Sequence, residues 1–247
     1  MRSYIQKSIF AVILLLSALP IFTVTAQQLD TKLLEGIEPR NVGPAGMSGR
    51  ITAIDVVQSN TNVIYVGAAS GGAWKSEDGG MTWSSIFDSK GPMSVGAIDI
   101  YQKNPSIIWM GTGEGNPRNS QSSGAGIYKS IDGGRTWEFM GLENTRNIHR
   151  VIIHPENPDV IYVGAQGSAW GDSEHRGVYK TTDGGETWEK LTNGLPTELI
   201  GKIDFAVSAA NPDRVYANIE ASDDQGGLYR SDDRGATWKF VSDNSNL

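Results

Sequence analysis

Four apolar runs recur along the chain, Ile51 to Val57, Val95 to Tyr101, Ile148 to Ile153 and Ile203 to Val207. They are short, rich in β-branched residues, and either alternating or continuously apolar, which is strand patterning. Each run leads to an asparagine, at Asn60, Asn104, Asn157 and Asn211, and the last three are followed by proline. Five residues later stands an aromatic, Tyr65, Trp109, Tyr162 or Tyr216, inside a second predicted strand (63–67, 107–111, 160–164 and 214–218). A third strand ends in an aromatic-basic pair: Trp74-Lys75, Tyr128-Lys129, Tyr179-Lys180 or Tyr229-Arg230. A Thr-Trp step then opens a fourth, as in Trp83 to Phe87 or Trp238 to Val241. Four short antiparallel strands per unit predict one propeller blade.

The link between third and fourth strands is an octapeptide, Ser/Thr-x-Asp-x-Gly-x-Thr-Trp, beginning at Ser76, Ser130, Thr181 and Ser231. It ends at Trp83, Trp137, Trp188 and Trp238, at intervals of 54, 51 and 50 residues. A period near fifty residues means stacked repeats. Gly80, Gly134, Gly185 and Gly235 fall where a reverse turn needs positive φ. Asp78, Asp132, Asp183 and Asp233 are placed to accept turn amides, and the Ser/Thr hydroxyls to tie the ends together, so these acids read as structural. The tryptophans are expected to wedge between neighbouring sheets. The expected organisation is blade 1 at 48–89, blade 2 at 90–142, blade 3 at 143–194 and blade 4 at 195–247, after a leader at 27–47.

This octapeptide is the Asp-box, or BNR repeat, and from Asn41 onward the chain resembles Asp-box propellers, a group that includes sialidases, xyloglucanases and sortilin-type receptors. The stretches 41–52, 111–120 and 176–188 look similar to secreted bacterial proteins of this group labelled glycosyl hydrolases. The resemblance implies a ring with more blades than four, so the fold expected is an all-β propeller segment of four antiparallel four-stranded blades, an incomplete ring. Further blades are expected C-terminal to Leu247.

Arg2 and Lys7 precede an apolar stretch from Ile9 to Leu19, and Val24-Thr25-Ala26 offers small residues for cleavage, so residues 1–26 read as a secretory signal peptide. An uncleaved anchor is the competing reading, disfavoured by the short apolar core and by Pro20. Export to the periplasm or beyond follows, with no stable membrane span after cleavage. Removal of the leader leaves 19 basic against 28 acidic residues, which argues against a nucleic-acid partner. The 247 residues contain no cysteine, so neither disulfides nor thiolate metal sites are available. None of His149, His154 and His175 falls in a metal-ligand pattern, and no metal or cofactor is expected.

Candidate binding residues are those outside the repeat consensus. Connections between second and third strands share one face with the links between blades, opposite the Asp-box turns, and ligands usually bind there. The blade 2 connection, 112–124, carries Glu114, Asn116, Arg118 and Asn119. The blade 3 connection, 166–176, carries Trp170, Asp172, Glu174 and His175. Trp170 occupies no repeat position; it could stack on a sugar, anchor a polypeptide, or fold back onto its own loop. The glycines around Glu114 either let backbone approach a ligand or only permit the bend. Arg50, His149 and Arg150 open inner strands, so they could line the axis or pair with Asp55, Asp99 or Asp204.

Function is then expected to be binding of a glycan, a peptide or an envelope protein. A glycoside hydrolase and a structural scaffold are the alternatives. Sialidases carry Arg-Ile-Pro ahead of their first Asp-box, whereas this chain has Gly49-Arg50-Ile51-Thr52. The resemblance to xyloglucanases around residues 71–76 puts Ala69 where their catalytic aspartate would stand, and a methyl group takes no proton.

Overall fold

A computed structural model describes residues 50–87, 91–116 and 119–244. The segments read as signal peptide (1–26) and leader (27–47) lie outside these residues. The described chain forms four antiparallel four-stranded sheets, each with its strands in chain order. Blade 1 is β1 (Ile51–Val56), β2 (Ile64–Ala68), β3 (Ala73–Ser76) and β4 (Ser84–Phe87). Blade 2 is β5 (Val95–Ile100), β6 (Ile108–Thr112), β7 (Ile127–Ser130) and β8 (Glu138–Phe139). Blade 3 is β9 (Ile148–Ile153), β10 (Ile161–Ala165), β11 (Gly177–Thr181) and β12 (Glu189–Leu191). Blade 4 is β13 (Ile200–Ser208), β14 (Asn211–Ala221), β15 (Gly227–Ser231) and β16 (Lys239–Ser242). Among the described residues the only helical piece is a 3-10 turn at Glu143–Thr145.

In blades 1 to 3 the strand-linking asparagine makes a compact Asx turn. Asn60, Asn104 and Asn157 each accept, through Oδ1, the amide two residues on, at 3.3, 3.2 and 3.0 Å. Blade 4 departs from this. Asn211 lies inside β14, and the β13–β14 hairpin extends well beyond the strand expected at 214–218, carrying the ladder from Ile200 opposite Ala221 to Ser208 opposite Asn211.

Each Asp-box closes through the same bonds. In the first, Asp78 Oδ1 accepts the Ser76 hydroxyl at 2.8 Å and the Thr82 amide at 2.9 Å, while Oδ2 accepts the Thr82 hydroxyl at 2.6 Å. The Gly80 amide donates back to Ser76 Oγ at 2.8 Å, with Gly80 at φ +92°. Asp132, Asp183 and Asp233 repeat the pattern with their own Ser/Thr and Thr partners. These donors hold the Asp78, Asp132 and Asp233 carboxyls down near a pKa of about 2, and lower that of Asp183 as well.

The closed turn then serves the preceding blade. Tyr65 donates its hydroxyl to Gly133 O at 3.1 Å, and Tyr162 donates to Arg234 O at 2.9 Å. Trp109, which has no hydroxyl, packs against the Gly185 turn while Lys129 donates to Gly184 O at 3.2 Å. Lys75, Lys129 and Lys180 also sit over the Tyr65, Trp109 and Tyr162 rings at 5.5, 5.1 and 5.7 Å. The second-strand aromatic and the third-strand lysine are thus grips on the next blade's box. The box tryptophans also bond in the other direction in the middle blades, where Trp137 and Trp188 donate to Ile86 O and Met140 O of the blade before. The expected wedge fails for Trp83, which is 39% exposed and donates to its own Gly80 O; Trp238 does wedge, buried in the cluster between blades 3 and 4, while its indole N–H bonds within its own turn.

Three hydrophobic clusters lie between successive blades rather than within them. One inner-strand position shows the consequence: Ile98, Val151 and Ile203 are 8%, 3% and 0% exposed, whereas Ile54, on the face with no described blade before it, is 65% exposed. Along the axis, carboxylates add a second tie. Asp55 Oδ2 accepts the Ile100 amide at 2.8 Å and Asp99 Oδ2 accepts the Ile153 amide at 2.6 Å. Blade 3 has Ile152 at this position, and Arg150 instead donates to Phe205 O, through Nη2 at 3.1 Å.

Two pH effects of opposite sign follow. The box aspartates have folded pKa values below their unfolded ones, so the unfolded chain binds more protons in acid, and stability present above about pH 4 falls away as pH drops toward 2. Melting temperature measured at stepped pH should fall steeply over this window, and Asp132→Asn should melt lower at pH 7 with a shallower acid slope. Asp99 behaves oppositely: it keeps some solvent contact along the axis, but the packed protein around it raises its pKa to about 7, the neighbouring Asp55 adding to the effect. Its contribution is fully present below about pH 4 and is lost as pH rises through 7. Asp99→Asn keeps an acceptor for the Ile153 amide without the charge, so its melting temperature should exceed wild type at pH 8 and converge on it near pH 4.

Candidate functional site

The face carrying the β2–β3, β6–β7 and β10–β11 connections brings the non-repeat residues together. Arg50, just before β1, donates Nε to Glu114 Oε1 at 2.9 Å and Nη2 to Glu114 Oε2. Glu114 is fully buried, its amide bonded to Ser94 Oγ and Ser122 O, each at 3.0 Å. The pair fastens blade 1 to the blade 2 connection, with both carboxylate oxygens of Glu114 engaged by Arg50. Ala69, fully buried, donates its amide to Arg50 O beneath this pair. Asn119 is exposed on the same connection, and Arg118 lies outside the described residues.

The blade 3 connection is organised by a residue the sequence reading passed over. Arg176 donates Nε to Gln166 O at 2.5 Å, Nη2 to Ser168 O at 2.5 Å and to Gly171 O at 3.1 Å, and Nη1 to Ile200 O of blade 4 at 2.6 Å. Four carbonyls on one planar, multi-donor guanidinium fix the loop against the start of β13. The only sequence signal was an arginine at the loop's C-terminal end. Trp170 rides on this loop 71% exposed, so it does not fold back as a plug. Asp172 is exposed beside it, and His175 Nε2 stands 3.7 Å from Glu174 Oε1. Asp172, Glu174, Arg176, Lys190 and Glu198 line a recess of about 390 Å³ at this loop, a size within the range of small-ligand pockets.

A smaller recess of about 100 Å³ opens where the inner strands begin, lined by Thr52, Gly96, Gly115, Asn116, His149, Arg150, Lys202 and Asp204. His149 Nε2 accepts the Ile203 amide at 3.3 Å, which leaves the ring proton on Nδ1. Burial holds the imidazole pKa down near 4, with Lys202 adding to the effect. Arg150 pairs with Asp204 at 2.9 Å, and Lys202 Nζ reaches Asn116 Oδ1 at 3.4 Å. Glycine is required at the wall: a Cβ on Gly115 would lie 2.0 Å from His149 Cβ. Among the described residues no cluster of three or more His, Cys, Asp or Glu could hold a metal ion.

Comparison with known proteins defines the class. The family model described as sortilin, neurotensin receptor 3 (Sortilin-Vps10) matches residues 125–246. A xyloglucanase of Hypocrea jecorina is 26% identical over 218 residues, covering 80% of this chain and 26% of its own length. A probable oligoxyloglucan-reducing end-specific xyloglucanase of Neosartorya fischeri is 31% identical over 129 residues, covering 49% of this chain and 15% of its own. The crystal structure of the GH74 enzyme from Niastella koreensis superposes with a TM-score of 0.59 at 21% identity, over 83% of this chain and 31% of that one. The chain carries an Asp-box β-propeller segment related to xyloglucanases and similar to the sortilin family. It spans about a quarter or less of the length of these curated relatives.

Proposed function

We propose that the chain is an exported propeller module that binds a glycan on the face holding the blade 3 connection. One observation carries the reading: a tryptophan outside the repeat, 71% exposed, on a loop that Arg176 ties at four carbonyls next to a recess lined by Asp172, Glu174 and Glu198. An exposed ring on a pre-ordered loop offers a stacking platform at little entropic cost, and the surrounding carboxylates offer acceptors for sugar hydroxyls. The xyloglucanase relatives favour a carbohydrate over a polypeptide ligand. No helix among the described residues is long and apolar enough to cross a membrane, and export rests on the signal peptide read from residues 1–26.

A hydrolase is the second reading, favoured by the carboxylates of the larger recess and by the names of the relatives. Against it stand Ala69 at the position of the xyloglucanase catalytic aspartate and the full engagement of Glu114 with Arg50. On a glycan array, Trp170→Ala should weaken retention about tenfold or more, the scale of losing a buried aromatic contact. Release of reducing ends by the wild type, abolished in a carboxylate variant, would turn the assignment to hydrolase. Unchanged binding by Trp170→Ala would remove the platform.

A further inference from the structure

Blade 4 is tied to blade 3 by different chemistry from the other two seams. Between blades 1 and 2, and between blades 2 and 3, a carboxylate at the axis accepts an inner-strand amide, Asp55 that of Ile100 and Asp99 that of Ile153. Between blades 3 and 4 the acceptor is an imidazole, His149 Nε2, which takes the Ile203 amide at 3.3 Å. A carboxyl group can still accept after it gains a proton, whereas a protonated ring nitrogen has no lone pair left and becomes a donor facing a donor. The surroundings give the imidazolium no relief. From β13 it faces Lys202 and Asp204, and Asp204 is already paired at 2.9 Å with Arg150, the ring's neighbour on β9. The blade 2 connection brings Gly115 and Asn116, which do not titrate, and it packs so closely that a Cβ on Gly115 would lie 2.6 Å from His149 Cγ. Nδ1 is closed off from water as well, so a charge on the ring would go unhydrated there.

The segment that this bond holds also builds the larger recess. Residues 197–200 line it together with Asp172, Glu174 and Arg176 of the blade 3 connection, and Arg176 Nη1 reaches Ile200 O at 2.6 Å. Leu199, immediately before β13, sits at φ +43°, a strained conformation for a residue with a branched side chain, which persists only while surrounding contacts impose it. The ladder pairs Ile200 with Ala221 and Ile203 with Ile219, so the end of the β13–β14 hairpin moves as one piece. The outer part of blade 4 is gripped separately, by Tyr162 and Lys180 donating to Arg234 O, so the hairpin end can lift while the blade stays in place. We propose that His149 is an acid-released latch on this face: neutral, it holds the hairpin end against β9 and keeps the larger recess formed, and protonated on Nε2 it frees that end and dismantles the recess. The latch stands on the geometry of the seam; its consequence, release of ligand in acid, rests on the glycan-binding reading.

The sign follows from linkage. Burial holds the folded His149 pKa down near 4, with Lys202 adding, against about 6.5 once the ring is released, so the latch is fully closed above pH 6.5 and is lost as pH falls toward 4. Asp99 works in the opposite sense, since its seam is relieved of a buried charge as pH drops below 7, which makes Ile153 an internal reference. The test is amide hydrogen exchange on the purified chain at pH 7 and pH 5, corrected for intrinsic rates. Protection at Ile203 is expected to fall about twentyfold over this interval while that at Ile153 holds, the ratio following from the two His149 pKa values. His149→Gln places an amide oxygen where Nε2 stood, so Ile203 should stay protected at both pH values. The wild-type ratio decides the matter even if that variant does not fold: constant protection at Ile203, or an equal loss at Ile153, would overturn the latch. Retention on the glycan array should fall from pH 7 to pH 5 for wild type and not for His149→Gln. Absence of any glycan retention at pH 7 would remove the binding reading and leave the exchange result to judge the latch alone.

Discussion

Everything in this molecule depends on a turn that satisfies its own polar groups so completely that its outer carbonyls are left to hold a neighbour. Each box aspartate accepts two hydroxyls and one amide, which aligns the turn and points Gly133 O, Gly184 O or Arg234 O at the second-strand tyrosine or the third-strand lysine of the preceding blade. An isolated four-stranded sheet of this size buries little. Stacked through these grips, the sheets enclose three apolar clusters between them, and the core is therefore a property of the arc.

The two ends of the blades then divide the labour. The box turns fasten one face. On the other face the connections are free of repeat constraints, and there the structure places an ion pair between Arg50 and Glu114, an arginine-centred loop bearing Trp170, and a small cation-lined recess at the axis. The shared logic is that charged groups near the axis are used first to join blades, through Asp55, Asp99 and Arg150, and only those left over are available to a ligand.

Much of the fold could be read from the chain because its determinants are local. A strand period, an Asx turn and a box motif announce themselves within a dozen residues, and the sheets follow. The failures came where a neighbour decides. Trp83 and Trp137 occupy the same motif position, yet only Trp137 has a preceding blade among the described residues to receive its indole N–H. The β13–β14 hairpin outgrew its prediction because the ladder runs on to Ala221 opposite Ile200 and, past a register shift, pairs Asn211 with Ser208 where the other blades turn. At the site, Glu114 looked available in sequence because its partner Arg50 stands 64 residues away. Arg176 gave almost no signal, since a loop-end arginine says nothing about four carbonyls converging on it.

The central claim is that the ties between blades are as firm as the ladders within them. Amide hydrogen exchange tests it most directly, at Ile100 and Ile153, whose amides donate to carboxylates of the adjoining blade. The account predicts that both exchange as slowly as mid-strand amides such as Val163, through opening of the whole arc. Fast exchange at Ile100 and Ile153 while Val163 stays protected would show the blades parting independently and would contradict it.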